Sequence, residues 1–325
     1  MASIKSVFAC AALAFGAGLA QAQAPAYPSQ QPIRLVVPYG AGTATDVLAR
    51  RLAAPLGTAM GQSIVVDNKG GASGNIALSY VAKAPADGYT LLFGTTQTQS
   101  VNPHVLLNMS YDPLKDFVSI GRVFNNGVML VVSSSVPVNT VEELIAYLKA
   151  NPSKANYGST GVGTAAHLPS AYLGKVAGLN LIHAPYTGVG QLMTDLVRGE
   201  ITMLFYTADG VRGFVDAGTL KPLAWTGPTR HPLFPNVPTM VERNFNDFIF
   251  GAWYAVFAPA ATPRAVVTKA ADALRQVVND PKFIKDIAAT GATLYYAPAS
   301  EMDGFVKTEH ERFRQIISTI GIKKE

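Results

Sequence analysis

The sequence predicts an α/β protein of two lobes, each Rossmann-like, joined by two extended hinge strands. Three observations carry this. Short β-branched runs alternate with helix-period segments from residue 32 onward. The alternation restarts as a second complete set near residue 128, and a long aromatic run at 248–257 can return the chain to the first set. Strand-like runs interleaved with helical patterns are the mark of parallel sheets covered by helices.

In the first set, Ile33-Arg34-Leu35-Val36-Val37 reads as a strand, 46–60 as a helix with apolar residues at helical spacing, 64–66 as a strand, 75–84 as a helix and 90–93 as a strand. The second set opens with a strand at 128–133. A capping box, Thr140-Val141-Glu142-Glu143, then starts a helix that runs to residue 150. Strands follow at 155–158, 179–184, 201–205 and 220–226, with helices at 164–176, 190–198 and 210–217. After a Pro-rich loop at 227–238 the 248–257 run is the return crossing. Helices at 263–278, 281–289 and 301–320 follow, the last bracing the first lobe or spanning both. Residues 23–126 with 252–325 are thus expected to form the first lobe and 127–251 the second, with a ligand cleft between them that two hinge connections allow to close.

Lys5, the apolar stretch 7–19 and Ala20-Gln21-Ala22 read as a secretory leader, residues 1–22, cleaved after Ala22. The stretch is too short for a membrane span of about 20 residues. The expected location is therefore the periplasm. The single cysteine, Cys10, lies inside this leader, so the mature chain has no thiol for a disulfide, a nucleophile or a thiolate metal site.

Of 26 basic and 21 acidic side chains, only Lys5 leaves with the leader, so the mature net charge is a modest +4. No basic run alternates with aromatics, which argues against nucleic acid as a partner and leaves a slight preference for small anions.

In open parallel sheets, ligands sit outside the carboxyl ends of strands. Four loops there qualify, together with Thr95 after the strand at 90–93. They contain Tyr39, Ala41, Gly42, Thr43 and Thr45; Ser159, Thr160, Gly161, Gly163 and Thr164, with His167 just beyond; Tyr186 and Thr187; and Tyr206 with Asp209. The 158–164 loop is the most informative, because a Gly/Ser/Thr run opening a helix offers backbone N–H groups, hydroxyls and the positive end of the helix dipole to an anion. None of the four loops holds Lys or Arg, which fits a carboxylate better than a phosphate. Tyr39, Tyr186, Tyr206, Trp253 and Tyr254 could add aromatic walls. Trp253 and Tyr254 are neighbours on one strand, so only one of them can face the cleft. Asp46 reads as a helix cap, while Asp209 is open to ligand contact or capping.

Catalytic readings are weaker. Gly161-Val162-Gly163-Thr164-Ala165-Ala166 fits a dinucleotide fingerprint, yet 181–189, where the ribose-binding acid belongs, contains no acid. Tyr157-Gly158-Ser159-Thr160-Gly161 lacks the glycine two places before the serine that a nucleophile elbow needs. The five histidines have no metal-site spacing. No catalytic residue, metal or cofactor is assigned.

The residues also resemble a known family. Pro32-Ile33-Arg34-Leu35-Val36-Val37-Pro38, Thr45-Asp46, Val65-Val66-Asp67-Asn68, Ala86-Asp87-Gly88-Tyr89-Thr90, Tyr111-Asp112-Pro113, Gly161-Val162-Gly163-Thr164 with His167-Leu168, and Pro185-Tyr186-Thr187-Gly188 are similar to the Bug family, the binding proteins of tripartite tricarboxylate transporters. The likeness covers nearly the whole mature chain. It implies a monomeric periplasmic-binding-protein fold of the type II kind that traps a small organic dicarboxylate or aromatic acid for a membrane permease, with the 158–164 loop on one carboxylate. A sensor that shows its closed form to a signalling receptor is the alternative, and a nucleotide-dependent oxidoreductase a remote one. Ala41-Gly42-Thr43-Ala44 replaces the family's Pro-Gly-Gly-Gly-like run, and Tyr206 stands where an Asp or Asn is usual. Both departures bear on which acid is bound.

Overall fold

The computed structural model describes residues 27–289 and 292–324. The leader, residues 1–22, lies outside the described residues.

The first half of the chain builds β1 (Ile33–Val37), α1 (Ala44–Met60), β2 (Ile64–Asn68), α2 (Asn75–Ala82), β3 (Thr90–Thr95), the short α3 (Asn102–Val105) and the long β4 (Phe117–Gly127). The next part forms β5 (Met129–Ser133), α4 (Val141–Ala150), β6 (Asn156–Ser159), α5 (His167–Ala177), β7 (Ile182–Pro185), α6 (Val189–Arg198), β8 (Met203–Tyr206), α7 (Ala208–Asp216) and β9 (Leu220–Trp225). Then come β10 (Gly251–Pro259), α8 (Arg264–Val278), α9 (Pro281–Ala288), β11 (Leu294–Pro298) and α10 (Ala299–Ile320).

Local chemistry sets several boundaries. The Thr43 hydroxyl accepts the Asp46 N–H at 3.4 Å to start α1, and Gly61, at φ 71°, ends it in the left-handed conformation. For α4 the Thr140 half of the expected capping box forms, while the Glu143 carboxylate reaches one residue further back than the box requires. Thr140 accepts the Glu143 N–H at 3.1 Å, and the Glu143 carboxylate accepts the Asn139 N–H at 2.6 Å.

Two sheets result, one for each lobe. The first runs β11-β4-β10-β3-β1-β2 and the second β7-β6-β8-β5-β9. β1 pairs parallel with β2 and β3, whereas β10 is antiparallel to both β3 and β4. The first lobe is therefore a mixed sheet and not the purely parallel unit the βα alternation predicts. One face of that sheet packs Leu35, Phe93, Phe124 and Leu274, and the other packs Val36, Leu92, Trp253 and Met302. The second sheet buries Leu130, Met203 and Phe205 on one side and Val131, Leu196 and Leu204 on the other.

The chain crosses between sheets at residues 127–129 and again at 250–251. There the two strands run so close that only glycine fits: Gly127 and Gly251 are register partners, and a Cβ on Gly251, whose φ is +154°, would lie 2.1 Å from the Asn126 carbonyl oxygen. The buried Thr226 hydroxyl clamps the pair, accepting the Val128 N–H at 2.7 Å and donating to the Phe250 carbonyl at 2.6 Å.

The C-terminal helix does not belong to one lobe. Met302 and Val306 of α10 join the first lobe's packing, while Phe313, Ile316 and Ile317 sit in the second lobe's core, as do Val101 and Val105. Assigning all of 252–325 to the first lobe is corrected on this point. A helix of 22 residues is about 33 Å long, enough to reach across both lobes. Among the described residues no helix is long and apolar enough to cross a membrane.

Candidate ligand cleft

Between the lobes lies a cavity of about 300 Å³. The first lobe lines it with Tyr39, Thr45, Ser73, Thr95, Gln97 and Tyr254, and the second lobe with Val162, Thr164 and Ala165. Most of these positions follow β1, β3 and β6, at the carboxyl ends of parallel strands. Every polar group in the lining is uncharged.

The first-lobe wall is tightly braced. Tyr39 Oη lies 3.3 Å from Thr95 Oγ1, and the Thr95 hydroxyl lies 3.4 Å from that of Thr98. Behind the 39–45 loop, the buried Asp46 carboxylate accepts the Gly42 N–H at 2.8 Å, Arg50 Nε at 3.1 Å and Asn68 Nδ2 at 2.9 Å. The Arg50 guanidinium holds that carboxyl below its ordinary range, with the Gly42 amide and the Asn68 side chain helping. Burial pushes the Tyr39 phenol up to about 12, and the Tyr254 phenol likewise to about 12, the latter also through the nearby Tyr39 and Asp209. Both phenols stay protonated, and so remain donors, throughout the physiological range.

The 159–165 loop is built differently. Gly161 and Gly163 adopt φ of +133° and +76°, a conformation that favours glycine and folds the loop back on itself. Its own atoms take up some donors: Gly161 N–H bonds Ser159 Oγ at 3.1 Å, and Gly163 N–H bonds His167 Nδ1 at 3.4 Å. The N–H groups of Val162 and Ala165, both on the cavity wall, meet no protein acceptor among the described residues. With Thr164, whose hydroxyl donates to Gly161 O at 2.8 Å, they open the path into α5. Unpaired N–H groups before a helix of 11 residues are a ready anion site.

Of the residues expected in the site, Tyr39, Thr45, Thr95 and Thr164 line the cavity together. Ser159 does not: it is fully buried, and its hydroxyl lies 2.6 Å from His183 Nε2. His167 is buried behind the loop with its ring 4.6 Å from that of His183, and its pKa is driven down to about 4 by burial first and the His183 charge second. Gly161 and Gly163 shape the loop and do not line the cavity. Ala41, Gly42, Thr43, Thr160 and Thr187 are on the surface around it. The Tyr186 hydroxyl donates instead to Asp195 at 2.8 Å. Tyr206 lines a separate apolar cavity between α6 and α7, with Val189, Met193 and Phe214. Asp209 is exposed in the first turn of α7.

Ser73, Gln97, Val162, Ala165 and Ala252 complete the lining and were not foreseen. Asn102 is the signal that could have found two of them. Its side chain donates to the Ser73 carbonyl at 2.8 Å and accepts from Gln97 Nε2 at 2.8 Å, drawing both to the cavity. Tyr254 faces the cavity while its neighbour Trp253 faces away, as strand alternation requires.

Among the described residues no carboxylate bonds His183, and the Ser159 hydroxyl is buried against it, so the Ser–His contact is structural. A cleft of neutral donors between two lobes is the arrangement of a solute-binding protein.

Known proteins place the chain in the same class. The family described as "Tripartite tricarboxylate transporter family receptor" matches residues 48–322. A UPF0065 protein of Bordetella pertussis is 33% identical over 94% of this chain and 94% of its own length, and Protein BugT of the same organism is 31% identical over 94% and 93%. Among solved structures, the R. palustris protein Rpa4515 with adipate is similar at a TM-score of 0.79 and 32% identity, covering 92% of this chain and 100% of that one. MatC from Rhodopseudomonas palustris with bound malate is similar at 0.73 and 25%, covering 88% and 99%. The chain belongs to the tripartite tricarboxylate transporter receptor family, whose members are periplasmic solute-binding proteins.

Proposed function

We propose that the chain, exported and cleaved after Ala22, works as a monomer that captures a small dicarboxylate between its lobes and presents the closed form to a membrane permease of the tripartite tricarboxylate type. The observation that carries this reading is the cleft itself. Thr45, Thr95, Tyr39 and Tyr254 converge on it from one lobe, and from the other come the N–H groups of Val162 and Ala165, which meet no protein acceptor among the described residues. A ligand bridging both sets binds the closed arrangement more tightly than either lobe alone, which is what shifts an open–closed equilibrium.

Size and chemistry narrow the ligand. Ligand pockets run from about 300 to 1,000 Å³, and this cavity lies at the small end. Of the two departures that point to an aromatic acid, Ala41-Gly42-Thr43-Ala44 and Tyr206, the second lines a different cavity. A dicarboxylate of the size of malate or adipate, the ligands of two similar structures, fits best.

A thermal-shift series on the mature protein tests this. A ligand bound only by the folded state raises stability by RT ln(1 + [L]/Kd). Malate, succinate or adipate should raise the melting temperature in proportion to log concentration, and Thr164→Val should weaken binding by about 1–3 kcal/mol. If no dicarboxylate moves the melting temperature, the proposal fails.

A further inference from the structure

A second cavity, of about 630 Å³, opens on the far side of the crossing strands. Strand alternation puts it there: Ala252 and Tyr254 face the cleft, whereas Gly251 and Trp253 face this rear cavity. Its walls come from both lobes and from α10. Trp253, Tyr295 and Phe305 contribute from one side, and Tyr172 and Phe250 from the other.

At its base lies Arg122 of β4, only 7% exposed. Its guanidinium is sandwiched between two rings, 4.0 Å from the Tyr295 centroid and 4.1 Å from the Phe305 centroid. Stacking of this kind satisfies the faces of the cation but not its N–H edge. That edge is served in part, by the Tyr295 side chain, but Arg122 Nε is buried with no hydrogen-bond partner, and among the described residues no carboxylate lies within ion-pair distance of the group. Glu309, the acid that shares the lining nearby, is engaged elsewhere. Its carboxylate accepts two bonds from Arg312, at 2.7 and 3.1 Å, and one from Trp253 Nε1 at 3.2 Å. Burial, the largest influence, lowers the Arg122 pKa, while Tyr295 and the more distant Glu309 and Glu301 oppose it only in part.

We propose that the rear cavity is a second ligand site, which takes a monocarboxylate with an apolar, ring-sized body. The planar carboxylate meets the Arg122 edge, where a guanidinium can offer two parallel N–H bonds. Trp253, Phe250 and Tyr172 enclose the body. The lining also holds Arg312, but it is paired with Glu309, so Arg122 is left for one carboxylate and Asp247 disfavours a second, which sets the site apart from the dicarboxylate cleft. The inference is independent of what the cleft binds, because no residue lines both cavities.

Trp253 makes the site readable. The sequence has two tryptophans, Trp225 and Trp253, and Trp225 lies in the second lobe's core. In protein labelled with 5-fluorotryptophan, benzoate should move the Trp253 ¹⁹F resonance saturably and leave that of Trp225 in place. Benzamide, the neutral analogue, should bind at least tenfold more weakly, and Arg122→Met should lose benzoate binding by at least tenfold. Arg122→Lys, which keeps the charge but not the fork, should weaken it several-fold and serves if the methionine variant does not fold. A Trp253 signal that ignores benzoate, or that responds equally in the Arg122 variants, would overturn the site. Adipate binding is read separately, at the cleft amides, so failure of one site leaves the other standing.

Discussion

The two loops that face each other across the cleft look alike in sequence and behave oppositely. Residues 39–45 and 159–165 both follow a strand, both are rich in Gly, Ser, Thr and Ala, and both open a helix. The first carries its own anion, since Asp46 takes the Gly42 amide and occupies the start of α1. The second carries none, and among the described residues the Val162 and Ala165 N–H groups meet no acceptor. What decides whether a helix N-terminus can bind a ligand anion is therefore not the glycines but whether an internal carboxylate is already there. The first lobe offers hydroxyls on a rigid frame, and the second offers the dipole.

Making the second loop resemble the first is the strongest way to break this contrast. Ala165→Asp places a carboxylate on the cavity wall, and like-charge juxtaposition costs several kcal/mol, so dicarboxylate affinity by calorimetry should fall on the order of 100-fold or more. Removing a first-lobe donor is milder. Tyr254→Phe or Thr95→Val should each cost about 1–2 kcal/mol of binding, and because both phenols are held near 12 the affinity should stay flat from neutral pH to about pH 10. Asp46→Asn should act on the frame, lowering stability in urea by about 1–3 kcal/mol while leaving affinity within about tenfold.

The second loop also carries the pH signature. His167 is held near 4 in the fold against about 6.5 when unfolded, so the unfolded chain binds the extra proton. Stability is complete above about pH 6.5 and is lost as pH falls towards 4, by at most about 3 kcal/mol. His104, also held near 4, adds in the same direction. Melting curves between pH 7 and 4 should show the loss, and His167→Gln should flatten part of it. The smallest effect belongs to Tyr206→Leu, which should leave cleft affinity unchanged because that side chain lines the α6–α7 cavity.

Much of the fold was legible because periodicity is a local property. The strands at 33–37 and 220–226 and the capping box at Thr140 are written in contiguous residues, and the structure differs at most by a residue or two there. What escaped depends on distant partners. β11 is short and pairs antiparallel to β4 from more than 160 residues away, with an irregular register. α10 looks like one amphipathic helix, yet its two halves serve different cores.

The site divides along the same line. Strand ends point to the loops that bring Tyr39, Thr45, Thr95 and Thr164 to one cavity, since that rule follows from sheet geometry. Ser159 sits in one of these loops, but its hydroxyl is bonded to His183, 24 residues further on, which no local pattern reveals. Ser73 and Gln97, which also line the cavity, are tied to each other through Asn102, a link between distant residues that no local pattern reveals.

The amides of Val162 and Ala165 test the central claim most directly. In ¹H–¹⁵N spectra of the mature protein titrated with adipate or malate, both resonances should move downfield saturably, with the midpoint that calorimetry gives, and should stop responding in Ala165→Asp. Saturable dicarboxylate binding that leaves both amides where they were would contradict the account.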